Sequence, residues 1–144
     1  MTPTSYILVA TEDFESRHMF KAVAEREGLE PICTSTVSEA RKIIATENVV
    51  LVFCDRHLPD GNYRELLAAA RFLNPAVRLV VMSREFDWDE YLEAMRLWAF
   101  DVIASPCRPT DVEWMILRAQ RDEQKQKRHV CHEVRESLAR EATA

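Results

Sequence analysis

The stretch "LVFCDRHLPDG", residues 51–61, ends an apolar run on Asp55, which two basic side chains and a turn then follow. Short apolar runs bounded by turn residues are typical of buried strands. Asp55 therefore stands at the end of a buried strand. Taken alone, it is either a cap or turn residue or a reactive carboxylate held at the edge of a sheet.

Apolar runs alternate with helical patterns along the whole chain. Strands are predicted at residues 6–10, 31–35, 49–54, 77–83 and 101–105, and helices at 14–27, 37–45, 63–73, 88–98 and from about 110. Strands that alternate with helices predict a parallel sheet with helices on both faces. The fold class is therefore α/β, a doubly wound (βα)5 sandwich.

Acids and hydroxyls follow four of the predicted strands. "TED" (11–13), "DRH" (55–57) and "SRE" (83–85) follow the first, third and fourth strands, and Ser105 closes the fifth. In doubly wound sheets the functional residues gather beyond the carboxyl ends of the strands, so these groups are expected in one pocket. Carboxylates there can hold Mg²⁺ and accept a phosphoryl group.

The order and spacing of these motifs resemble the receiver domain of two-component response regulators over residues 5–119. "ILVATED" resembles its first strand and acidic pair, "LVFCDRHLPDG" its phosphoacceptor strand, "LVVMSRE" its switch strand and "DVIASPCRP" its last strand. The resemblance implies a flavodoxin-like sheet of order 2-1-3-4-5, with Asp55 as phosphoacceptor. The Mg²⁺ ligands that it implies are Glu12, Asp13, Asp55 and the backbone carbonyl of His57.

Several positions depart from that pattern. The family's acidic pair falls on Thr11 and Glu12, so only one carboxylate remains, unless a one-residue slip uses Glu12 and Asp13. The lysine that normally contacts the phosphoryl group falls on Ser105. Arginine suits phosphoryl oxygens well. The candidates for the missing positive charge are Arg56, Arg84 and Arg108.

The switch positions also differ. Ser83 matches the family's switch hydroxyl, but Arg84 follows it where a small residue is usual. We expect Ser83, Arg84 and Ser105 to contact the phosphoryl group. The aromatic switch position falls on Val102, and Phe100 is expected on the same strand face two residues away.

Signal relay is the predicted function. A sensor histidine kinase would phosphorylate Asp55, and the fourth and fifth βα units would present a changed surface to an output domain or downstream protein. Candidate contacts are Trp88, Tyr91 and Trp98. The alternative is a phosphorylation-independent pseudo-receiver that acts as a protein–protein interaction module. A flavodoxin-like or nucleotide-binding enzyme is disfavoured, because neither Gly28 nor Gly61 lies in a phosphate loop. Enzymatic activity is not expected beyond self-catalysed phosphorylation and its hydrolysis.

The composition also bears on which partners the chain can bind and on where in the cell it is found. The 144-residue chain has 47% apolar residues and a net charge of −5, which argues against direct nucleic-acid binding. Its four cysteines form no CxxC pair, as is typical of free thiols in a reducing compartment. We recognise neither a signal peptide nor an apolar run long enough to span a membrane. A cytoplasmic location without membrane contact is therefore expected.

The last segment differs from the rest in composition. Residues 1–119 are assigned to the receiver domain and 120–144 to a polar helical extension or linker, which lacks Gly and Pro. A weak apolar stripe in the extension lies at helical spacing, and projecting helices of this kind often pair with a partner. A homodimer through this helix, or through the fourth and fifth units, is one expectation.

Overall fold

The computed structural model describes residues 4–85 and 87–122, and their strands form one parallel sheet and one small hairpin. The main sheet has the order β2-β1-β3-β6-β7, and the antiparallel hairpin joins β4 to β5. The strands are β1 (Tyr6–Ala10), β2 (Glu30–Thr34), β3 (Val49–Asp55), β4 (His57–Leu58), β5 (Gly61–Asn62), β6 (Arg78–Ser83) and β7 (Asp101–Ala104).

Five helices connect or follow these strands in the described part of the chain. They are α1 (Phe14–Arg26), α2 (Val37–Thr46), α3 (Tyr63–Leu73), α4 (Trp88–Arg96) and α5, which occupies residues 109–122. The predicted (βα)5 fold with strand order 2-1-3-4-5 is confirmed, because the five parallel strands follow that order once the hairpin is set aside. The hairpin itself was not predicted.

Alternate residues of the strands point into two separate cores. Along β1, Leu8 and Ala10 pack with the buried residues of α2 and α3, whereas Ile7 and Val9 pack with those of α1 and α5. Because both faces are covered, the central strands are apolar almost throughout. This double burial fixes where each strand ends, and so fixes the position of the polar residue that follows it.

The hairpin after β3 has a structural role of its own. The carboxylate of Asp60, at its turn, accepts hydrogen bonds from the backbone nitrogens of Val37 (2.7 Å) and Ser38 (3.0 Å) at the start of α2. Those donors have no partner within the helix, so Asp60 caps α2 together with Thr36. The cap ties the segment after Asp55 to the body of the domain.

The fourth helix differs from its sequence prediction. It ends at Arg96, and Trp98, which was predicted to lie within it, instead has φ 74° just beyond the helix. Of the described residues of α4, only Ala94 is buried. Leu92 and Met95 are exposed, so this helix lies on the sheet with little burial of its own.

Several predictions fall partly outside the described residues. Residues 123–144, which hold most of the predicted extension and Cys131, are among those not described. The thiols of Cys33, Cys54 and Cys107 are free. Among residues 4–85 and 87–122, no helix is both long and apolar enough to cross a bilayer.

Candidate functional site

The carboxyl ends of β1, β3, β6 and β7 surround one cleft of about 620 Å³. The predicted Mg²⁺ ligands and phosphoryl contacts all line it. The lining residues are Glu12, Asp13, Asp55, Arg56, His57, Met82, Ser83, Arg84, Glu85 and Ser105. The cleft is polar because each strand leaves its apolar environment at this edge of the sheet.

Asp55 is the last residue of β3 and lies half-buried in the cleft. Its Oδ2 accepts hydrogen bonds from the Thr11 hydroxyl (2.7 Å) and the Glu12 backbone nitrogen (3.3 Å). Burial raises the pKa of the Asp55 carboxyl above its usual range, against the hydrogen bond from Thr11 and the charge of Arg84, which lower it. Among the described residues, none donates to Oδ1, which therefore remains available for chemistry.

Thr11 has a role that the sequence reasoning missed. We treated it as a lost carboxylate, but its hydroxyl donates to Asp55 and accepts from the Asp13 backbone nitrogen (3.1 Å). Thr11 is only 2% exposed, so both hydrogen bonds lie in a water-poor environment, where they hold the Asp55 carboxylate in one orientation. Its position directly after a buried strand and its hydroxyl were the available signals.

The two remaining acids are not equivalent. Asp13 is the N-cap of α1, and its two oxygens accept from the Glu15 backbone nitrogen (3.1 Å) and the Ser16 hydroxyl (2.6 Å). The bond from Ser16 is the main cause that lowers the pKa of the Asp13 carboxyl. Glu12 is exposed, and its carboxylate accepts no hydrogen bond from the described residues. Glu12 is thus the freer of the two for binding a ligand.

The cleft provides only a few side chains and backbone groups that could bind Mg²⁺. In the described part of the chain, no group of three or more His, Cys, Asp or Glu is placed to hold a metal ion. The cleft does offer the carboxylates of Glu12 and Asp55 and the backbone of His57. Mg²⁺ is commonly held by one or two carboxylates with water completing its shell, so these residues are compatible with it.

Arg84 is the cation best placed to serve the cleft. It lines the cleft, and its charge lowers the pKa of both Asp55 and Asp13. The guanidinium of Arg56 is instead ion-paired with Glu90 of α4, and Arg108 is not among the lining residues. Of the three arginines considered from the sequence, Arg84 is therefore the one that lines the cleft without an ion-pair partner among the described residues.

Ser83 and Ser105 both line the cleft, but they make different hydrogen bonds. The Ser83 hydroxyl donates to the Glu85 backbone carbonyl (2.7 Å), so it is engaged with the loop that leads into α4. The backbone nitrogen of Ser105 donates to the Ser83 carbonyl (2.8 Å), which holds the ends of β6 and β7 together. A move of Ser83 towards Asp55 would release its bond to the loop.

Phe100 does not take the place of the missing aromatic. Val102 packs against the core shared with α2 and α3, whereas Phe100 packs against the core shared with α1 and α5. The guanidiniums of Arg118 and Arg78 lie 4.9 Å and 5.9 Å from its ring centroid. The expectation that Phe100 shares the face of Val102 is wrong, because Phe100 precedes β7 and its ring turns to the other side.

Comparison with known proteins gives relatives of one class. No family model matches the chain. It is 26% identical over 103 residues to the alginate biosynthesis transcriptional regulatory protein AlgB of Pseudomonas aeruginosa, covering 72% of this chain and 23% of that protein. It is 28% identical over 113 residues to the DNA-binding transcriptional regulator NtrC of Rhizobium meliloti, covering 78% and 23%. The chain thus spans about a quarter of the length of these relatives.

Solved structures show the same fold. A CheY-like response regulator receiver domain from Methanospirillum hungatei superposes with a TM-score of 0.74 at 24% identity, over 88% of this chain and 99% of that one. The beryllofluoride-activated NtrC4 receiver domain, solved as a dimer, gives 0.74 at 21% identity over 79% and 94%. This chain has the fold of a response regulator receiver domain, and its sequence is similar to response regulators.

Proposed function

We propose that this chain relays a two-component signal, with Asp55 accepting a phosphoryl group from a histidine of a sensor kinase in the cytoplasm. The observation that carries the proposal is the half-buried Asp55 carboxylate at the centre of the cleft, with Oδ2 held by Thr11 and Oδ1 open. The relatives support the same class of function. Nothing in the comparisons favours the alternative of a phosphorylation-independent module.

The chemistry follows from that geometry. Oδ1 of Asp55 forms a bond to phosphorus while the bond from phosphorus to the kinase histidine nitrogen breaks, and that nitrogen keeps the electron pair and takes a proton. Hydrogen bonds from Thr11 and Glu12 fix the orientation of the carboxylate before the attack. Later attack of water on phosphorus restores the carboxylate and releases phosphate. Beyond this self-phosphorylation and hydrolysis, we propose no catalytic activity.

Positive charge at the cleft stabilises the reacting phosphoryl oxygens. Arg84 lines the cleft and faces both Asp55 and Asp13, so its guanidinium can bond the oxygens that lysine contacts in the family. Bound Mg²⁺ would supply further charge neutralisation, held by Glu12, Asp55 and the His57 carbonyl. Asp13 contributes through the field of its carboxylate while it continues to cap α1.

Two contacts connect Asp55 with α4. Arg56, the residue after the acceptor, is ion-paired with Glu90 of α4, and Ser83 is hydrogen-bonded to the loop before that helix. A phosphoryl group on Asp55 would compete for both the Arg56 guanidinium and the Ser83 hydroxyl. Loss of these two contacts would let α4 shift, which is how the signal would leave the site.

The surface that would read this shift is apolar. Trp88, Leu92 and Trp98 are 65%, 44% and 73% exposed along and just beyond α4. Large aromatic side chains at a surface are typical anchors of protein interfaces. We propose that an output domain, a downstream protein or a second copy of the chain contacts this surface.

Incubation with acetyl phosphate and Mg²⁺, followed by intact mass measurement, tests the proposal. The chain should gain the mass of one phosphoryl group, and the adduct should disappear on exposure to hydroxylamine, which cleaves acyl phosphates. Failure to form any adduct, with an established receiver domain reacting in parallel, would contradict the relay function.

Two variants sharpen this assay. Asp55→Asn removes the nucleophile and should abolish the adduct, whereas Asp60→Asn alters an acid that caps α2 outside the cleft and should leave it intact. Arg84→Ala should slow adduct formation by roughly tenfold to a hundredfold, because one cation that contacts the transition state is lost. An adduct that persists in Asp55→Asn would refute the assignment of the acceptor.

A further inference from the structure

A second cavity of about 150 Å³ lies between α4 and the last residues of β6 and β7. Its buried walls include Tyr63, Val81 and Ala94, and the partly buried Val102 closes one side. Val102 occupies the strand position where the resemblance led us to expect an aromatic ring. A valine there leaves open a volume that a larger side chain would fill.

One polar group in this cavity lacks a partner. Tyr63 is 2% exposed, and its buried hydroxyl meets no described residue in good hydrogen-bond geometry, although the Arg64 side chain lies beside it. The guanidinium of Arg64 lies 5.2 Å from the centroid of its ring but donates through Nε and Nη2 to Glu93, both at 2.7 Å. Leaving a buried hydroxyl without a hydrogen bond destabilises the structure. A molecule that brings one polar atom to Tyr63 would relieve that destabilisation.

The volume of the cavity and the residues that line it determine which kind of ligand would fit. An apolar cavity of about 150 Å³ is large enough for a benzene ring, and water is held well only where two to four polar partners converge. The buried walls here offer aliphatic side chains and one hydroxyl. Five charged residues also line the cavity: Arg56, Arg84, Glu85, Asp87 and Glu90. The geometry points to a ligand that is mostly apolar, planar and equipped with a single hydrogen-bonding group.

We propose that this cavity binds a neutral one-ring aromatic compound with one hydroxyl group. Its ring packs against Val81, Ala94 and Val102, and its oxygen hydrogen-bonds the Tyr63 hydroxyl. This site does not require phosphorylation of Asp55, although Ser83 and Arg84 line both the cavity and the cleft. A bound ring would therefore lie between α4 and the sheet, next to the residues that are proposed to move.

Titration of phenol into the isotopically labelled full chain, followed by amide NMR, tests the proposal. The shifts should saturate with a dissociation constant on the order of 1 mM, as is realistic for a ligand of this size. They should be largest at residues of the cavity such as Ala94, Val102 and Ala104. Shifts that do not saturate, or that centre on another part of the surface, would overturn the proposal.

A cavity-filling variant provides the first control. Val102→Phe should weaken phenol binding at least tenfold, because its ring occupies the same volume. Val50→Phe makes the identical change at another partly buried strand valine, beside a separate cavity of about 140 Å³, and should leave the binding unchanged. Equal affinity of wild type and Val102→Phe would overturn the site.

Removal of the hydroxyl provides the second test and keeps the ring that packs in the core. Tyr63→Phe should weaken phenol binding roughly threefold to tenfold, since one hydrogen bond is lost. Benzene, which makes no such bond, should bind the variant at least as well as the wild type. If Tyr63→Phe weakened the binding of phenol and benzene equally, or weakened neither, the role assigned to Tyr63 would be contradicted.

Discussion

Opposing effects act on the protonation of the Asp55 carboxyl. Burial at the end of β3 favours its protonated form, whereas the Thr11 hydroxyl, the Glu12 nitrogen and the Arg84 charge favour its ionised form. The ionised form is the nucleophile that phosphoryl transfer requires. The neighbours of Asp55 therefore matter as much as the residue itself, and each gives a measurable consequence.

The raised pKa of Asp55 makes a prediction about stability. A carboxyl that binds its proton more tightly when folded stabilises the fold at low pH, and that stabilisation is lost as pH rises through the folded pKa. Asp55→Asn stays neutral throughout. We expect it to unfold at a higher temperature than wild type at pH 7 in Mg²⁺-free buffer, and the difference to vanish below pH of about 3.9. Circular dichroism melts at several pH values measure this.

Asp60→Asn is the matched control for that experiment. Backbone nitrogens of Val37 and Ser38 lower the pKa of the Asp60 carboxyl, so its ionised form stabilises the fold above the unfolded pKa. The same Asp-to-Asn change should therefore lower the melting temperature at pH 7, with the difference vanishing at acid pH. A destabilised Asp55→Asn at pH 7 would contradict the account of Asp55.

Thr11 gives a prediction about metal binding. Thr11→Asp adds a third carboxylate to those of Asp55 and Glu12, so Mg²⁺ affinity should rise roughly tenfold or more, because affinity for hard cations grows with ligand charge. Thr11→Asn has nearly the same shape without the charge and should not gain affinity. Isothermal titration calorimetry compares the three proteins. Equal Mg²⁺ affinity in all three would show that position 11 does not limit the site.

At the scale of elements, two ion pairs between described residues hold α4. Arg56–Glu90 joins it to the segment after Asp55, and Arg64–Glu93 joins it to α3. Both pairs are partly exposed, so double-mutant cycles should give a small coupling energy for each. Of the two arginines, only Arg56 adjoins Asp55 in the sequence.

We therefore expect a phosphoryl mimic to affect the two pairs differently. With beryllofluoride bound, the coupling energy of Arg56–Glu90 should fall towards zero while that of Arg64–Glu93 stays the same. Urea unfolding of the single and double Gln variants, with and without the mimic, measures both cycles. An unchanged Arg56–Glu90 coupling would remove this pair from the proposed switch.

The end of α4 carries a residue in an unfavourable conformation. Trp98 has φ 74°, a region that glycine adopts readily and other residues avoid, while Arg71 lies 5.1 Å from the centroid of its ring. Trp98→Gly should be more stable than Trp98→Ala by about 1 kcal/mol, since both lose the ring and only alanine keeps the strain. Urea midpoints of the two variants provide the comparison. Equal urea midpoints for the two variants would contradict the backbone strain assigned to position 98.

The molecule as a whole shows why its fold was predictable from the sequence. The strands are buried on both faces, so each apolar run marked a strand, and polar residues directly after these runs marked the cleft. All seven predicted site residues line it for that reason. The hairpin of His57–Leu58 with Gly61–Asn62 escaped prediction because two-residue strands have no periodicity.

Side-chain direction and pairing were harder to predict. The face occupied by Phe100, the N-cap role of Asp13 and the hydrogen bond from Thr11 to Asp55 each depend on packing between distant segments. The pairing of Arg56 with Glu90 likewise follows from the placement of α4 on the sheet. A sequence pattern identifies which residues meet at a strand end, but not which of them bond.

Amide NMR of the full chain with beryllofluoride and Mg²⁺ tests the central claim most directly. If Asp55 is a phosphoacceptor coupled to α4, shifts should begin at Asp55, Ser83 and Ser105 and extend along 88–96, and Asp55→Asn should abolish them. An unchanged spectrum, or the same shifts in Asp55→Asn, would contradict the account.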